Sequence, residues 1–208
     1  MDLFSSSTSE SASLLPYDGE LSYYRDAFDV EFAQTYYDGL FNSISWESDI
    51  IHMFGKRIIT KRKVAWYGDQ PYAYTYSKST KTALPWTPDL QAIKDRVEVL
   101  TGHSYNSCLL NLYHDGSEGM GWHSDDEPEL LRDGAIASVS FGAERKFVFK
   151  HKETKEKVEV VLHSGSVLTM SGSCQRYWLH RLPPTKKVLT PRINLTFRTI
   201  IANQAHVK

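Results

Sequence analysis

The chain has 208 residues, 41% of them hydrophobic and 24% charged, with a formal net charge of −1. That length supports one substantial hydrophobic core, and the composition excludes a disordered or fibrous chain. No apolar run approaches the roughly 20 residues of a membrane-spanning helix, and MDLFSSSTSES lacks the basic and apolar regions of a secretory leader, so a cytoplasmic monomer (nuclear in a eukaryote) with no membrane partner is expected.

Residues 1–13 are rich in Ser and Thr, have no bulky apolar residue between Phe4 and Leu14, and are expected to be disordered. Residues 1–50 carry ten acids against one base, Arg25, which leaves the rest of the chain basic, with 23 bases and 15 acids. A basic body admits a polyanionic partner. Asp29 caps a predicted helix that runs to about Phe41, with Phe32, Tyr36 and Leu40 spaced for one buried face. In 51–63, Met53 and Phe54 precede Gly55 and are flanked by five bases, which suits an apolar wedge between base steps with phosphates alongside. Tyr72, Tyr74 and Tyr76 alternate onto one strand face. A second helix has Thr87 as cap, Pro88 in its first position, Leu90, Ile93, Val97 and Leu100 on its apolar face, and Gly102 at its end.

Most of the remainder reads as strand: CLLNLYHDG (108–116), AIASVSFG (135–142), KFVFKHK (146–152), KVEVVLHSG (157–165), SVLTMSG (166–172) and RINLTFRTII (192–201). Helices and strands do not alternate, so a doubly wound parallel sheet is unsupported, and an antiparallel barrel or jelly roll buttressed by helices is expected. Cys108 and Cys174 do not form a disulfide framework and are expected to be reduced and buried.

The stretch GWHSDDEPEL (121–130) sets one histidine among four carboxylates. In an extended segment His123 and Asp125 leave the same face and can converge on one ion. Imidazole and carboxylate, completed by a distant second histidine, make the facial triad of non-haem Fe(II) oxygenases, which leaves positions open for a bidentate cosubstrate and O2. From chemistry alone His151, His163 and His180 are all candidates for the third ligand. In the last strand Ile193, Leu195 and Phe197 share one face, and Arg192, Asn194, Thr196 and Arg198 share the other. Two arginines on one strand face suit a barrel interior that holds a dicarboxylate, because the guanidinium fork grips carboxylates bidentately.

H-x-D near the middle, a histidine about fifty-five residues later and R-x-N-L-T-F-R near the end resemble the AlkB family of Fe(II)/2-oxoglutarate-dependent nucleic-acid demethylases. The likeness extends through YGD (67–69), YTYS (74–77), NLYHDG (111–116), HSDDE (123–127), IASVSFGAERKFVFKHK (136–152) and KKVLTPRINLTFR (186–198). It is strongest to the DNA-repair branch that contains AlkB homologue two.

The resemblance implies an α+β fold: a double-stranded β-helix (jelly-roll) core buttressed by N-terminal helices, with a nucleotide-recognition lid. After the 1–13 tail, residues 14–85 would supply the first helix, the lid and a basic hairpin finger, and 86–208 the dioxygenase core of a single domain. It selects His180 to join His123 and Asp125 on Fe(II). It assigns Asn111, Tyr113, Arg192, Asn194, Thr196 and Arg198 to 2-oxoglutarate, with Arg198 at the metal-proximal end. His163 is then a structural or surface histidine.

Asp126 and Glu127 would face the substrate base together with Tyr74, Tyr76 and Ser77, the base lying between Tyr76 and His123. Met53, Phe54 and Gly55 would form the finger, with Arg62 directed towards DNA and the second basic run, 145–157, tracking the other strand. A methylated base such as 1-methyladenine or 3-methylcytosine is cationic and carries an amine donor, so a carboxylate favours it over the normal base. Reaching it in a duplex requires base flipping. The implied reaction consumes 2-oxoglutarate and O2 and releases formaldehyde from alkylated DNA. RNA demethylation stays open as an alternative, because single strands need no wedge and nothing in the sequence excludes them. A protein hydroxylase would share the triad and the arginines but has no need of the acidic pair or the basic finger.

Overall fold

The computed structural model describes residues 13–53, 56–76 and 79–201, with backbone alone at 50–53, 56–58, 73–76 and 79–81. In chain order the elements are β1 (Glu20–Tyr24), α1 (Val30–Ser43), β2 (Glu47–Met53), β3 (Lys56–Gly68), β4 (Ala73–Tyr76), β5 (Ser79–Thr82) and α2 (Pro88–Thr101). There follow β6 (Ser107–Tyr113), β7 (Met120–His123), β8 (Ile136–Gly142), β9 (Arg145–His151), β10 (Lys157–Leu162), β11 (Ser166–Ser171), α3 (Cys174–Tyr177), β12 (Trp178–Leu182) and β13 (Arg192–Arg198).

Period-two alternation decides how the strands stack. β6, β8 and β13 each bury an apolar row on one side: Cys108, Leu110 and Leu112; Ala137, Val139 and Phe141; Ile193, Leu195 and Phe197. These rows meet the helices, through Ala33 and Leu40 of α1 and Leu90, Ile93 and Val97 of α2. Thr87 caps α2 by accepting from the Leu90 N–H, and Gly102 closes it at φ 71°, a left-handed position that suits glycine. All of this agrees with the pattern read from the sequence.

Helix α1 is capped by Asp29 as expected, but its inward face differs. Phe32 is 59% exposed, while Ala33 and Leu40 are buried. The reason is close approach: a Cβ added at Gly165, in the β10–β11 turn, would lie 3.2 Å from the Ala33 Cβ, so only a small side chain fits there.

The strands form a seven-stranded sheet, ordered β1-β11-β8-β13-β6-β3-β2, and a four-stranded sheet, β10-β9-β12-β7. Every pairing between these strands is antiparallel. A second cluster, including Leu21, Ile136, Phe149, Leu162, Leu168 and Trp178, joins the inner faces of the two sheets. This is the expected jelly-roll core with buttressing helices. β1 and β3, from the N-terminal third, extend the larger sheet. Cys108 and Cys174 are free and buried. Among the described residues no helix is long and apolar enough to cross a membrane.

Candidate metal centre and its surroundings

Strand pairing creates the centre. His180 on β12 sits directly opposite His123 on β7, and the two rings meet edge to face with centroids 4.3 Å apart. β7 stops at His123, so Asp125 is not held by strand geometry. It is fixed by its own N–H, which donates to Gln175 Oε1 at 2.9 Å. Lys152 Nζ reinforces the turn, donating to Ser124 Oγ (3.2 Å) and to the Gln175 carbonyl (3.0 Å).

The ligating atoms of His123, Asp125 and His180 lie within 4.8 Å of one another. His123 Nδ1 is 2.9 Å from the Gly121 carbonyl, which can only accept, so the proton is on Nδ1 and the Nε2 lone pair is free for a metal. That Nε2 is 3.9 Å from Asp125 Oδ1, and His180 Nε2 is 3.8 Å from Asp125 Oδ2. Burial holds the His180 pKa down to about 3, so its imidazole is neutral and competent to ligate. Burial alone would raise the Asp125 carboxyl, but Arg198, then His180 and His123, hold it below the ordinary carboxylate value. Two imidazoles and one carboxylate suit a divalent transition metal with open coordination positions.

Of the three open histidines, only His180 joins this group. His151 stacks on Tyr177 and its Nδ1 accepts from the Glu153 and Thr154 N–H groups. His163 is bonded to the Tyr23 hydroxyl at 2.9 Å.

Beside the metal cluster lies a polar row on the inner face of the larger sheet. Asn194 pairs with Asn111 and Ser140, and Arg192 with Tyr113 and Gly142. Arg192 is 2% exposed and donates from Nη2 to Ser140 Oγ at 2.9 Å. Burial lowers its pKa to about 10, still leaving it charged at neutral pH. Asn194 Nδ2 donates to Ser138 Oγ, and Thr196 Oγ1 donates to Asn194 Oδ1. Among the described residues, Arg192 Nε and Asn111 Oδ1 are buried without a hydrogen-bond partner. Arg192 also forms no ion pair with a described carboxylate, so this row fits an anionic ligand with an additional polar group. At the other end of the row Arg198 Nη2 donates to Asp125 Oδ1 at 2.8 Å.

Asp125, Asp126, Glu127 and Arg198 line a cavity of about 330 Å³ that also takes in Leu130, Ile136 and Gln175. Asp126 is exposed and Glu127 half-buried, with Glu127 Oε1 3.9 Å from Arg198 Nη1. Tyr74 and Tyr76 lie on β4, which pairs with β5, their side chains outside the description. β2 and β3 form a hairpin that brings Met53 opposite Lys56. Phe54, Gly55 and Ser77 lie outside the described residues.

Two readings of the basic residues require correction. Arg62 does not face outward. It pairs with Asp49, donates to Met120 Sδ at 3.2 Å and lies 5.9 Å over the Tyr113 ring. Strand alternation puts Lys61 on the exposed side instead. Arg145 likewise leaves the surface run: it is 2% exposed and donates to the carbonyls of Asp115, Gly116, Glu118 and Pro183. Gln175 carries no sequence signal of its own, and the supporting roles of Lys152 and Arg145 are not visible in the basic run that contains them, since each is defined by what the fold brings to it.

The model of the 2OG-Fe(II) oxygenase superfamily matches residues 20–198. The chain is 46% identical over 159 residues to the DNA oxidative demethylase ALKBH2 of Bos taurus, covering 73% of this chain and 57% of that one. It therefore spans less than two thirds of that relative. To the protein of the same name from Arabidopsis thaliana it is 32% identical over 214 residues, covering 90% of this chain and 68% of that one. A solved structure titled "The structure of OsALKBH1" shares the fold, with a TM-score of 0.58 at 17% identity, covering 86% of this chain and 97% of that one. The chain belongs to the 2OG-Fe(II) oxygenase superfamily, whose members use Fe(II), 2-oxoglutarate and O2, and within it to the AlkB family.

Proposed function

We propose that the chain is a DNA oxidative demethylase that removes methyl groups from the ring nitrogens of bases such as 1-methyladenine and 3-methylcytosine. One observation carries the reading: a buried imidazole–carboxylate–imidazole cluster shares Asp125 with an acid-lined cavity. The bovine and Arabidopsis relatives, both named DNA oxidative demethylases, support it.

His123, Asp125 and His180 would hold Fe(II). Arg192 and Tyr113 take the distal carboxylate of 2-oxoglutarate, Asn111, Asn194 and Thr196 complete its pocket, and Arg198 stands at the metal-proximal end. Bound iron, with 2-oxoglutarate and O2, supplies the oxidising power that hydroxylates the N-methyl carbon. The chain's own residues do the rest. Gln175 holds the Asp125 backbone N–H, Arg198 holds its carboxylate, and burial keeps His180 unprotonated. Asp126 and Glu127 accept from the exocyclic amine of the cationic base and favour it over the neutral one. The hydroxymethyl group then leaves as formaldehyde: the C–N bond breaks, its electron pair returns to the ring nitrogen and the hydroxyl proton passes to solvent.

Residues 14–85 supply the recognition lid and, in the β2–β3 hairpin, the finger that fills the gap left by a flipped base. Formaldehyde and succinate measured in parallel test the assignment, with DNA, RNA and peptide substrates compared under Fe(II), 2-oxoglutarate and ascorbate. One-to-one release with methylated DNA supports it. Release only with RNA or peptide replaces it with the corresponding alternative.

A further inference from the structure

Three guanidinium groups surround the Tyr113 ring, at 5.5 Å (Arg192), 5.9 Å (Arg62) and 6.0 Å (Arg145) from its centroid. Arg62 has a carboxylate partner, Asp49. Arg192 and Arg145 form no ion pair with any described residue. The carboxylates nearest Arg145 are otherwise engaged: Glu118 takes the His114 backbone N–H and ring, and Asp115 takes Ser117. Asp115 and Glu118 still favour the charged form of Arg145, but no described carboxylate acts on Arg192, and a buried cation in that position is costly unless the site is built to receive an anion.

Arg145 occupies a defined place in this arrangement. Its four carbonyl contacts come from the β6–β7 connection and from Pro183, beyond β12. The two connections are tied together there, with Gly116 donating to the Val188 carbonyl and Thr185 donating back to Gly116. A Cβ on Gly116 would sit 2.4 Å from the Thr185 oxygen, so the backbones are already in contact. Arg145 therefore closes the end of the barrel at which Arg192 and Tyr113 stand. Its Nε remains buried without a partner, and its charge helps to depress the pKa of Arg192.

We propose that Arg145 is a positioning and specificity residue for the cosubstrate, selecting a distal carboxylate through its charge and holding closed the pocket end that receives it. This rests on the assignment of Arg192 to that carboxylate. The carbonyl contacts hold the two connections against each other, and the charge adds to the field of Arg192 without a direct bond to the ligand.

The test is calorimetric binding of 2-oxoglutarate and of 2-oxopentanoate, which has the same carbon chain without the distal carboxylate, to the Mn(II)-loaded protein. The ratio of the two affinities isolates the distal charge. Arg145→Met is expected to lower the preference for 2-oxoglutarate on the order of tenfold, as loss of a unit charge within a low-dielectric pocket requires. Arg145→Lys keeps the charge and is expected to hold the ratio within about threefold of wild type while losing thermal stability. If Arg145→Met weakens both ligands equally, or if Arg145→Lys lowers the ratio as far as Arg192→Met does, the charge role is overturned. Should Arg145→Met not fold, Arg145→Gln takes its place with the same two outcomes. Arg192→Met separates the two failures, because an unchanged ratio in that variant overturns the pocket assignment itself.

Discussion

Arg198 donates to Asp125 Oδ1 at 2.8 Å, which ties the last residue of β13 to the carboxylate at the centre of the metal cluster. The bond orients the carboxylate that would ligate a metal, and the neighbouring charge keeps the group ionised in a buried site. Arg198→Met is expected to weaken Mn(II) or Fe(II) binding by about 10–100-fold, the usual effect of removing such a supporting partner. Metal titration under anaerobic conditions measures it. Affinity within twofold of wild type contradicts the supporting role.

Glu127 lines the same cavity as Asp125 and stands 3.9 Å from Arg198. Its proposed work is to recognise a cation. Glu127→Gln should lower kcat/KM on 1-methyladenine by roughly tenfold, since hydrogen bonds to charged groups contribute more than neutral ones. On a neutral N-methylated base the loss should stay under about threefold. Steady-state kinetics on matched oligonucleotides decide this, and equal losses on both bases contradict it.

Helix α2 is legible in the sequence because its signals are local: Thr87 and Pro88 start it, Gly102 stops it, and Leu90, Ile93 and Val97 all lie at 0% exposure. The phase of α1 is not legible, because Ala33 turns inward where the helix meets Gly165, a contact between residues distant in sequence. The same limit applies to the site. The polar row of β13 is visible as alternation, but its burial comes from the second sheet packed over that face and is seen only in the fold. The choice of His180 over His151 and His163 depends on β7 pairing with β12, which the family likeness supplies and spacing does not. Arg62 shows the converse: alternation separates the two faces of a strand but does not say which one faces solvent.

The two faces of α1 and α2 give a stability comparison. Phe32→Gln should change the unfolding free energy by no more than about 0.5 kcal/mol, as an exposed site. Ile93→Ala, at a position with 0% exposure, should cost about 2–5 kcal/mol. Urea denaturation of both variants tests the assignment, and a reversed order contradicts the observed phase.

Cys174 is buried in the cluster between the two sheets, and burial, then the nearby Asp125 charge, pushes its pKa up from 9.0 to about 12. Burial also raises the Cys108 thiol. Thiolate is the reactive form, so neither cysteine should react with a disulfide reagent in the native protein at pH 8, and both should react in denaturant. In the unfolded chain Cys174 loses its proton near pH 9, while in the fold it keeps it until about pH 12. Its contribution to stability is therefore full below pH 9 and falls as pH rises from 9 towards 12. Cys174→Ala should flatten the decline in Tm over that range, as read by thermal melts at stepped pH.

The most direct measurement is the mass of a duplex DNA oligonucleotide carrying one 1-methyladenine, before and after incubation with the protein, Fe(II), 2-oxoglutarate and ascorbate. Loss of one methyl group with the wild-type chain, and no loss with Asp125→Ala, is the predicted result. An unchanged oligonucleotide alongside continued conversion of 2-oxoglutarate to succinate would leave the metal centre standing and contradict the assignment of methylated DNA as its substrate.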